Sequence, residues 1–531
     1  MVLGRVSRRA LLVGGWSILG VPLLAACLGR GKKKDGSSGG SGSAGASGGS
    51  GQGVTRTVTT VGATLKVTVG LAVVSDDVMV VPLAVHLNKM GSGGLSSDGK
   101  KFDVHLAWSG TGNFTGADGV RLVDFDADTV QETFKASSES TGLTKEEPDT
   151  TLHALFKPVS AKTINILVPE SGLFEGVPVV RDGKLSDEAK KALEDVYDTE
   201  SSPDPVALET FTASVDGASD TRVTGKSVVI NLASDVLFAS DSADLSAQAD
   251  ATLNKAAEQL ATYPGGEVSI VGHTDDVQDD AYNQTLSEKR ANAVKTRLEQ
   301  LTKLDKWQTS VSGKGESEPR IKDTSDEARA ANRRVEITLT PTSGTTKKGS
   351  SPTPNSSDAS TLPASEGPSA KGSDGVTVTA KSANSNGEVT ITLDHVTRQG
   401  GYLVGTLTCT VKPSSHSANL TVLLTDLENR SGNQRDEDTG STATFMATDG
   451  LTLISGNERV FPADYEQADI KAHIPLTELY VGDELLGGTV TAVGVVWPDP
   501  GGDTVILDHP QSEDSYSTTA FRLTDIPVKN K

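Results

Sequence analysis

Aromatic side chains are scarce: 11 Phe, 7 Tyr and 4 Trp in 531 residues, beside 55 Gly. That poverty excludes one large core and points to two to four modest domains. Basic residues are also short, 49 Lys and Arg against 70 Asp and Glu, for a net charge of -21. A nucleic-acid surface needs clustered cations that this chain spreads thinly, so no nucleic-acid partner is expected, and the acidity suits solubility in an extracellular medium. Histidine and cysteine do not cluster, and no Gly-flanked Ser lies in a folded segment. The two Gly-x-Ser-x-Gly matches, at Ser38 and Ser47, fall in a Gly/Ser tract and are accidents of composition. No catalytic constellation, metal set or cofactor follows from the residues, and no barrel-forming segment makes the chain a pore itself. The chain reads as a non-enzyme.

What is present begins with an address. Arg5, Arg8 and Arg9 precede an apolar run from Ala10 to Ala26, broken by Gly14, Gly15, Gly20 and Pro22, so residues 1–26 are predicted to be a signal peptide. The run ends Leu24-Ala-Ala-Cys27, which resembles the lipobox of bacterial lipoproteins. The resemblance implies a lipidated Cys27 at the mature N-terminus and a membrane partner; an uncleaved spanning anchor is the alternative. Ser7-Arg8-Arg9-Ala10-Leu11-Leu12 looks like a twin-arginine signal, with Sec export left open. With Cys27 lipidated, no intrachain disulfide remains, and Cys409 in the run Leu407–Val411 reads as a small buried hydrophobe. Residues 27–53, with Lys32, Lys33 and Lys34 and then Gly and Ser, read as a tether. About 25 flexible residues span roughly 25–30 Å on average and about 85 Å at full stretch.

Residues 54–180 alternate apolar and polar positions, as in Leu65, Val67, Val69, Leu71 and Val73, with further strands at 80–87, 104–108, 120–123 and 163–168. The pattern predicts a β-sandwich-like domain. His86, His105 and His153 sit on separate segments without acidic or sulfur partners at ligand spacing and read as structural. Residues 181–224 hold a helix over 186–197 capped by Ser186, then a linker broken at Ser201–Pro205. Residues 341–375, rich in Ser, Thr, Pro, Lys and Gly, read as a disordered spacer. Strand signals return in 376–531, at 389–393, 402–411, 420–424, 470–474 and 490–497, and predict a second β-sandwich-like domain. No site is apparent in either β domain.

Between them, residues 225–340 alternate strand and helix: a strand from Val228 into Phe238, a helix on Leu245, Ala249, Leu253, Ala256 and Leu260, and a strand over 268–272. A helix on Leu286, Ala293, Val294, Leu298 and Leu301 follows, then a strand at 307–311, a short helix at 327–332 and a strand at 335–339. The order βαβα then βαβ predicts helices packed on one mixed sheet, a two-layer α/β domain. Leu237–Leu245, Gly272-His-Thr-Asp275, Tyr282-Asn283, Leu286-Ser-Glu-Lys-Arg290, Gly313–Pro319 and Asn332-Arg-Arg-Val-Glu336 together resemble the OmpA-like peptidoglycan-binding domain of outer-membrane protein A, peptidoglycan-associated lipoproteins and flagellar stator proteins.

The resemblance implies non-covalent binding of the peptidoglycan stem peptide through diaminopimelate. Asp275 would take its ammonium and Arg290 its carboxylate, with Asn283, Thr274, Leu286 and Arg334 near the pocket. A planar guanidinium can give a carboxylate two parallel hydrogen bonds, which lysine cannot. Asn332 and Arg333 would brace the sheet or touch ligand. One departure stands out: the family has Gly three residues after its aspartate, where this chain has Gln278, so the 276–281 loop is expected to run differently. Without the resemblance, Asp275 and Arg290 read first as a loop carboxylate and a solvated helix arginine. Asp275, Asp276, Asp279 and Asp280 lack the residue order of a calcium loop.

The whole reads as a lipid-anchored cell-envelope protein, on the outer face of the cytoplasmic membrane or on an outer membrane if the organism has one, tethering membrane to cell wall. Protein partners of the β domains are unknown. The alternatives are an adhesin or recruiting scaffold acting through the β domains, and a wall-remodelling enzyme.

Overall fold

The structure is a computed structural model that describes residues 53–345 and 362–531, except for 92–100, 105–116, 118, 135–141, 182, 195, 197–203, 382–385, 427–446, 467–472, 479–484 and 512–518. All of these described residues belong to one compact unit, Gly45–Lys531. The predicted signal peptide, Cys27 and nearly all of the tether lie outside them. No helix among the described residues is long and apolar enough to cross a membrane.

The described residues are mostly β, in mixed sheets with few helices. The strand Ala63–Val69 buries every second side chain, as its alternation demands. The two expected flanking sandwiches are not separate. Leu65, Leu83, Phe102 and Phe174 from the first region share one apolar core with Ile391, Leu407, Val493 and Trp497 from the second. Gly62 N donates to Val490 O at 2.8 Å, and Val61 N to Thr491 Oγ1 at 3.1 Å. Each region has one apolar face, and each covers the other's, which is how a chain poor in aromatics gathers one sufficient core. Cys409 is fully buried within it, where burial pushes its thiol pKa up to about 12.

Three further expectations change. Residues 420–424 form a helical turn, Leu420–Leu424, because Asn419 Oδ1 accepts the Val422 N–H at 2.9 Å, and a five-residue apolar run does not distinguish helix from strand. The 341–375 spacer is ordered at its distal end: Ser369–Lys371 pairs in parallel with Phe521–Asn530. The helix at 186–197 is shorter, Asp187–Glu194, with Ser186 Oγ accepting from Ala189 N at 3.1 Å.

The α/β region is built from β1 (Val228–Ala233), α1 (Ser234–Leu237), α2 (Ala249–Thr262), β2 (Gly266–Gly272), α3 (Asp280–Leu301), β3 (Trp307–Gly313), α4 (Asp326–Asn332) and β4 (Arg334–Pro341). Its strands run in the order β3-β2-β4-β1; β2 and β3 are parallel, and the other pairs are antiparallel. Val228, Ile230, Leu232, Val268, Ile270, Val335, Ile337 and Leu339 meet Leu253, Leu260, Ala291, Val294 and Leu298 in a second core. Gly272 and Gly313 let α3 lie directly on the sheet: a Cβ on Gly272 would fall 2.1 Å from Ser287 O, and one on Gly313 2.4 Å from Ser287 Oγ.

Beyond β1 the same sheet continues through Ser219–Val223 and Thr210–Ser214 to Glu458–Val460 of the β body. Main-chain pairing of Thr212 with Val460 and Ser214 with Glu458 therefore joins the α/β region to the β body, and Lys255 adds an ion pair to Glu458.

Candidate functional site

The buried stripe of α3 changes character along its length. Ala291, Val294 and Leu298 face the core, whereas one and two turns earlier the same face carries Asn283, Ser287 and Arg290, all buried. Polar groups at that depth need partners or a ligand. Asn283 Nδ2 donates to Asp275 O (3.2 Å), Gln278 O (3.1 Å) and Glu316 Oε2 (2.6 Å), so it ties the loop after β2 to the loop after β3. Ser287 Oγ accepts from Gly315 N at 3.0 Å.

The 275–280 loop is pinned along its whole length. Asp276 takes Arg329 Nε at 2.7 Å, and that hydrogen bond holds the Asp276 carboxyl below its usual range. Asp279 caps α3 by accepting from Tyr282 N at 2.9 Å. Gln278 stays out of the left-handed region, and its carbonyl is held by Asn283, so no glycine is required there. Thr274 is buried, its N–H on Gly315 O at 2.9 Å and its hydroxyl without a partner among the described residues.

Asp275 Oδ2 accepts from Arg333 Nη1 at 2.7 Å, while Oδ1 meets, among the described residues, only the Val277 N–H, at 3.4 Å. Arg333 also forks onto Asp235, Nε to Oδ1 at 2.9 Å and Nη2 to Oδ2 at 2.6 Å. The two carboxylates raise its pKa further, Asp235 first. Asp235 was not legible as a site residue, because Val228 to Phe238 was expected to be one strand. The chain instead turns at Ser234–Leu237, with Ser234 N on Arg333 O at 2.9 Å, and the turn presents Asp235.

Arg290 is 5% exposed. Its Nε donates to Ser242 O at 2.9 Å and its guanidinium carbon lies 5.2 Å from the centroid of the Phe238 ring. Burial lowers its pKa, opposed by Asp235, Asp241 and Tyr282. Its two terminal nitrogens have no acceptor among the described residues and are not among the sealed, unpartnered polar atoms, so they open to solvent. Leu286, one turn before Arg290, is half-buried.

Arg334 is elsewhere. Val335, Ile337 and Leu339 point to the helices, so Arg334 and Glu336 alternate onto the other face of the sheet, 3.7 Å apart. There Arg334 is buried near Asp220 and Glu318, and His273 sits beside it with its pKa pushed down to about 3, by burial first and by Arg334 second. The structure thus brings Asp275, Thr274, Asn283, Leu286 and Arg290 to one end of the α/β layer with Arg333 and Asp235, and takes Arg334 away from it.

One group of metal-ligand type occurs among the described residues: Glu209, Asp464 and His473, whose donor atoms lie within 4.8 Å of one another. His473 Nε2 is 3.1 Å from Glu209 Oε2, and Arg222 Nε approaches the same oxygen at 4.0 Å. Asp464 and His473 lie on two paired strands, Asp464–Glu466 and His473–Pro475, but Glu209 comes from a distant segment, so no local spacing could reveal the set.

The model of the OmpA family matches residues 237–333. Outer membrane porin F of Pseudomonas aeruginosa is 38% identical over 108 residues, 20% of this chain and 31% of that one. The probable lipoprotein YiaD of Escherichia coli is 36% identical over 126 residues, 24% of this chain and 56% of that one. The peptidoglycan-associated lipoprotein of Legionella pneumophila is 36% identical over 101 residues, 19% and 57%. The chain spans from about a third to just over half of the length of these curated relatives. Residues 237–333 are therefore an OmpA-like domain, set in the middle of a longer, mostly β chain.

Proposed function

We propose that this is a lipid-anchored protein of the cell envelope that binds peptidoglycan without covalent chemistry, through the free end of diaminopimelate in the stem peptide. The observation that carries the reading is Arg290. Its stem is buried, its Nε is committed to Ser242 O, and its two terminal nitrogens open outward at the same end of the layer as Asp275. That free end holds an ammonium and a carboxylate on one carbon. The carboxylate takes the two guanidinium N–H groups, and the ammonium donates to Asp275, whose Oδ1 has only a long backbone contact. Arg333 and Asp235 hold the Asp275 carboxylate in place. The relatives, outer-membrane and envelope proteins including a peptidoglycan-associated lipoprotein, support the setting. Lipidation of Cys27 would fix the chain to a membrane, so that wall binding becomes tethering, with the β body left to other partners. No bond is made or broken in this role, and none of the site groups is asked to be a nucleophile.

Co-sedimentation with purified diaminopimelate-type peptidoglycan tests the reading. The wild-type chain should pellet, and Asp275→Ala and Arg290→Ala should stay in the supernatant with unchanged circular dichroism. Pelleting of both variants at the wild-type level overturns the site.

A further inference from the structure

Four large apolar side chains are exposed among the described residues, and two of them flank this site: Val277, 63% exposed, and Tyr282, 38% exposed. Val277 follows Asp275 on the loop, and its N–H faces the Asp275 carboxylate. Tyr282 opens α3 two turns before Arg290, close enough for its phenol to bear on the guanidinium. Tyr282, Leu286 and Arg290 stand at i, i+4 and i+8, one ridge of the helix. Their exposure falls along that ridge, from an exposed Tyr282 through a half-buried Leu286 to a buried Arg290. An exposed apolar side chain thus lies near each charged partner, Val277 two residues after Asp275 and Tyr282 on the ridge of Arg290. The loop that carries Val277 is fixed at Asp275, Asp276, Gln278 and Asp279, so its exposed position is built in rather than a matter of a loose loop.

We infer that Val277 and Tyr282 form an apolar lip that holds the trimethylene arm of diaminopimelate, the segment leading from the clamped end back to the peptide. The inference rests on the proposed binding of that residue by Asp275 and Arg290. Charge complementarity fixes where the two ionic groups go, and the arm then has to leave along the ridge toward solvent. Covering the arm removes water from the ion pairs as well as from three methylenes, and charged contacts strengthen as water leaves. The lip thus reads what is attached to the zwitterion, while Asp275 and Arg290 read the zwitterion.

The test compares two probes on the full-length chain in detergent: free meso-diaminopimelate, and D-alanine, which has an ammonium and a carboxylate on one carbon and no arm. Val277→Ser with Tyr282→Ser should weaken diaminopimelate binding by about 15- to 60-fold, as expected from losing cover of two to three methylenes, and change D-alanine binding less than two-fold. Tyr282→Phe, which keeps the ring, should bind both probes as the wild type does. Wild-type affinity of the double variant for diaminopimelate, or equal losses for both probes, overturns the lip. A wild-type chain that binds neither diaminopimelate nor peptidoglycan overturns the underlying site instead, so the two failures are distinct.

Discussion

Arg290→Lys separates a guanidinium fork from a mere positive charge. In the structure the Arg290 Nε is spent on Ser242 O, so two terminal nitrogens remain for a ligand carboxylate. Hydrogen bonds to charged groups are worth about 1.5–3 kcal/mol each. Lysine offers one contact in place of two, from a more strongly hydrated centre. The expected loss is about one such bond, roughly 10- to 150-fold in affinity. The fold should lose about one charged bond as well: lysine forgoes the bond to Ser242 O but keeps an apolar stem along Phe238, for a cost of about 1.5–3 kcal/mol. Arg290→Met, which keeps the stem and removes the charge, should abolish binding at similar stability. Titration calorimetry with free diaminopimelate, paired with urea unfolding of the same samples, reads both quantities. Binding of Arg290→Lys within two-fold of wild type would refute the fork.

Three more outcomes follow from buried groups near and far from the site. His273, held neutral in the fold with a pKa of about 3 against about 6.5 unfolded, charges more readily in the unfolded chain, so stability should fall as pH drops from about 6.5 toward 3. About 2 kcal/mol should be gone by pH 5, and His273→Asn should flatten that limb of a denaturant-unfolding series. Glu170 and Glu478 behave oppositely: burial raises both carboxyl pKa values, Glu478 to about 7, while Glu478 accepts from Glu170 N at 2.8 Å and Gly494 N at 3.0 Å. Stability should therefore also fall as pH rises above the unfolded value of about 4.3, and Glu170→Gln should recover stability at pH 8. Gly272→Ala would drive a Cβ to 2.1 Å from Ser287 O and should cost about 3 kcal/mol or more in urea unfolding, since β2 and α3 would have to part.

The α/β layer was legible because its signals are local. Strands at 268–272 and 335–339 and the helix through Val294 and Leu298 are each set by short-range alternation, and the structure returns β2, β4 and α3 there. The parity of β4 overturns the expected place of Arg334: with Val335, Ile337 and Leu339 turned to the helices, Arg334 faces away, and Arg333, just outside the strand, is the arginine that reaches Asp275. Asp235 was hidden by the apolar run Val236-Leu-Phe238, which reads as continuing strand but is folded into a turn held by Arg333 O. The union of the two β regions was not legible at all. Contacts such as Gly62 N with Val490 O, and a core that holds both Leu65 and Ile391, join residues hundreds of positions apart, and alternation records only that a face must be covered, never by what.

The central claim is that Asp275 and Arg290 recognise both charges on one carbon of the stem peptide. Peptidoglycan whose stems carry lysine in place of diaminopimelate keeps the ammonium and lacks the carboxylate. Co-sedimentation of the full-length chain with the two polymers, matched in mass, is the most direct measurement. The expected result is pelleting with the diaminopimelate polymer and little or none with the lysine polymer; equal pelleting with both would contradict the account.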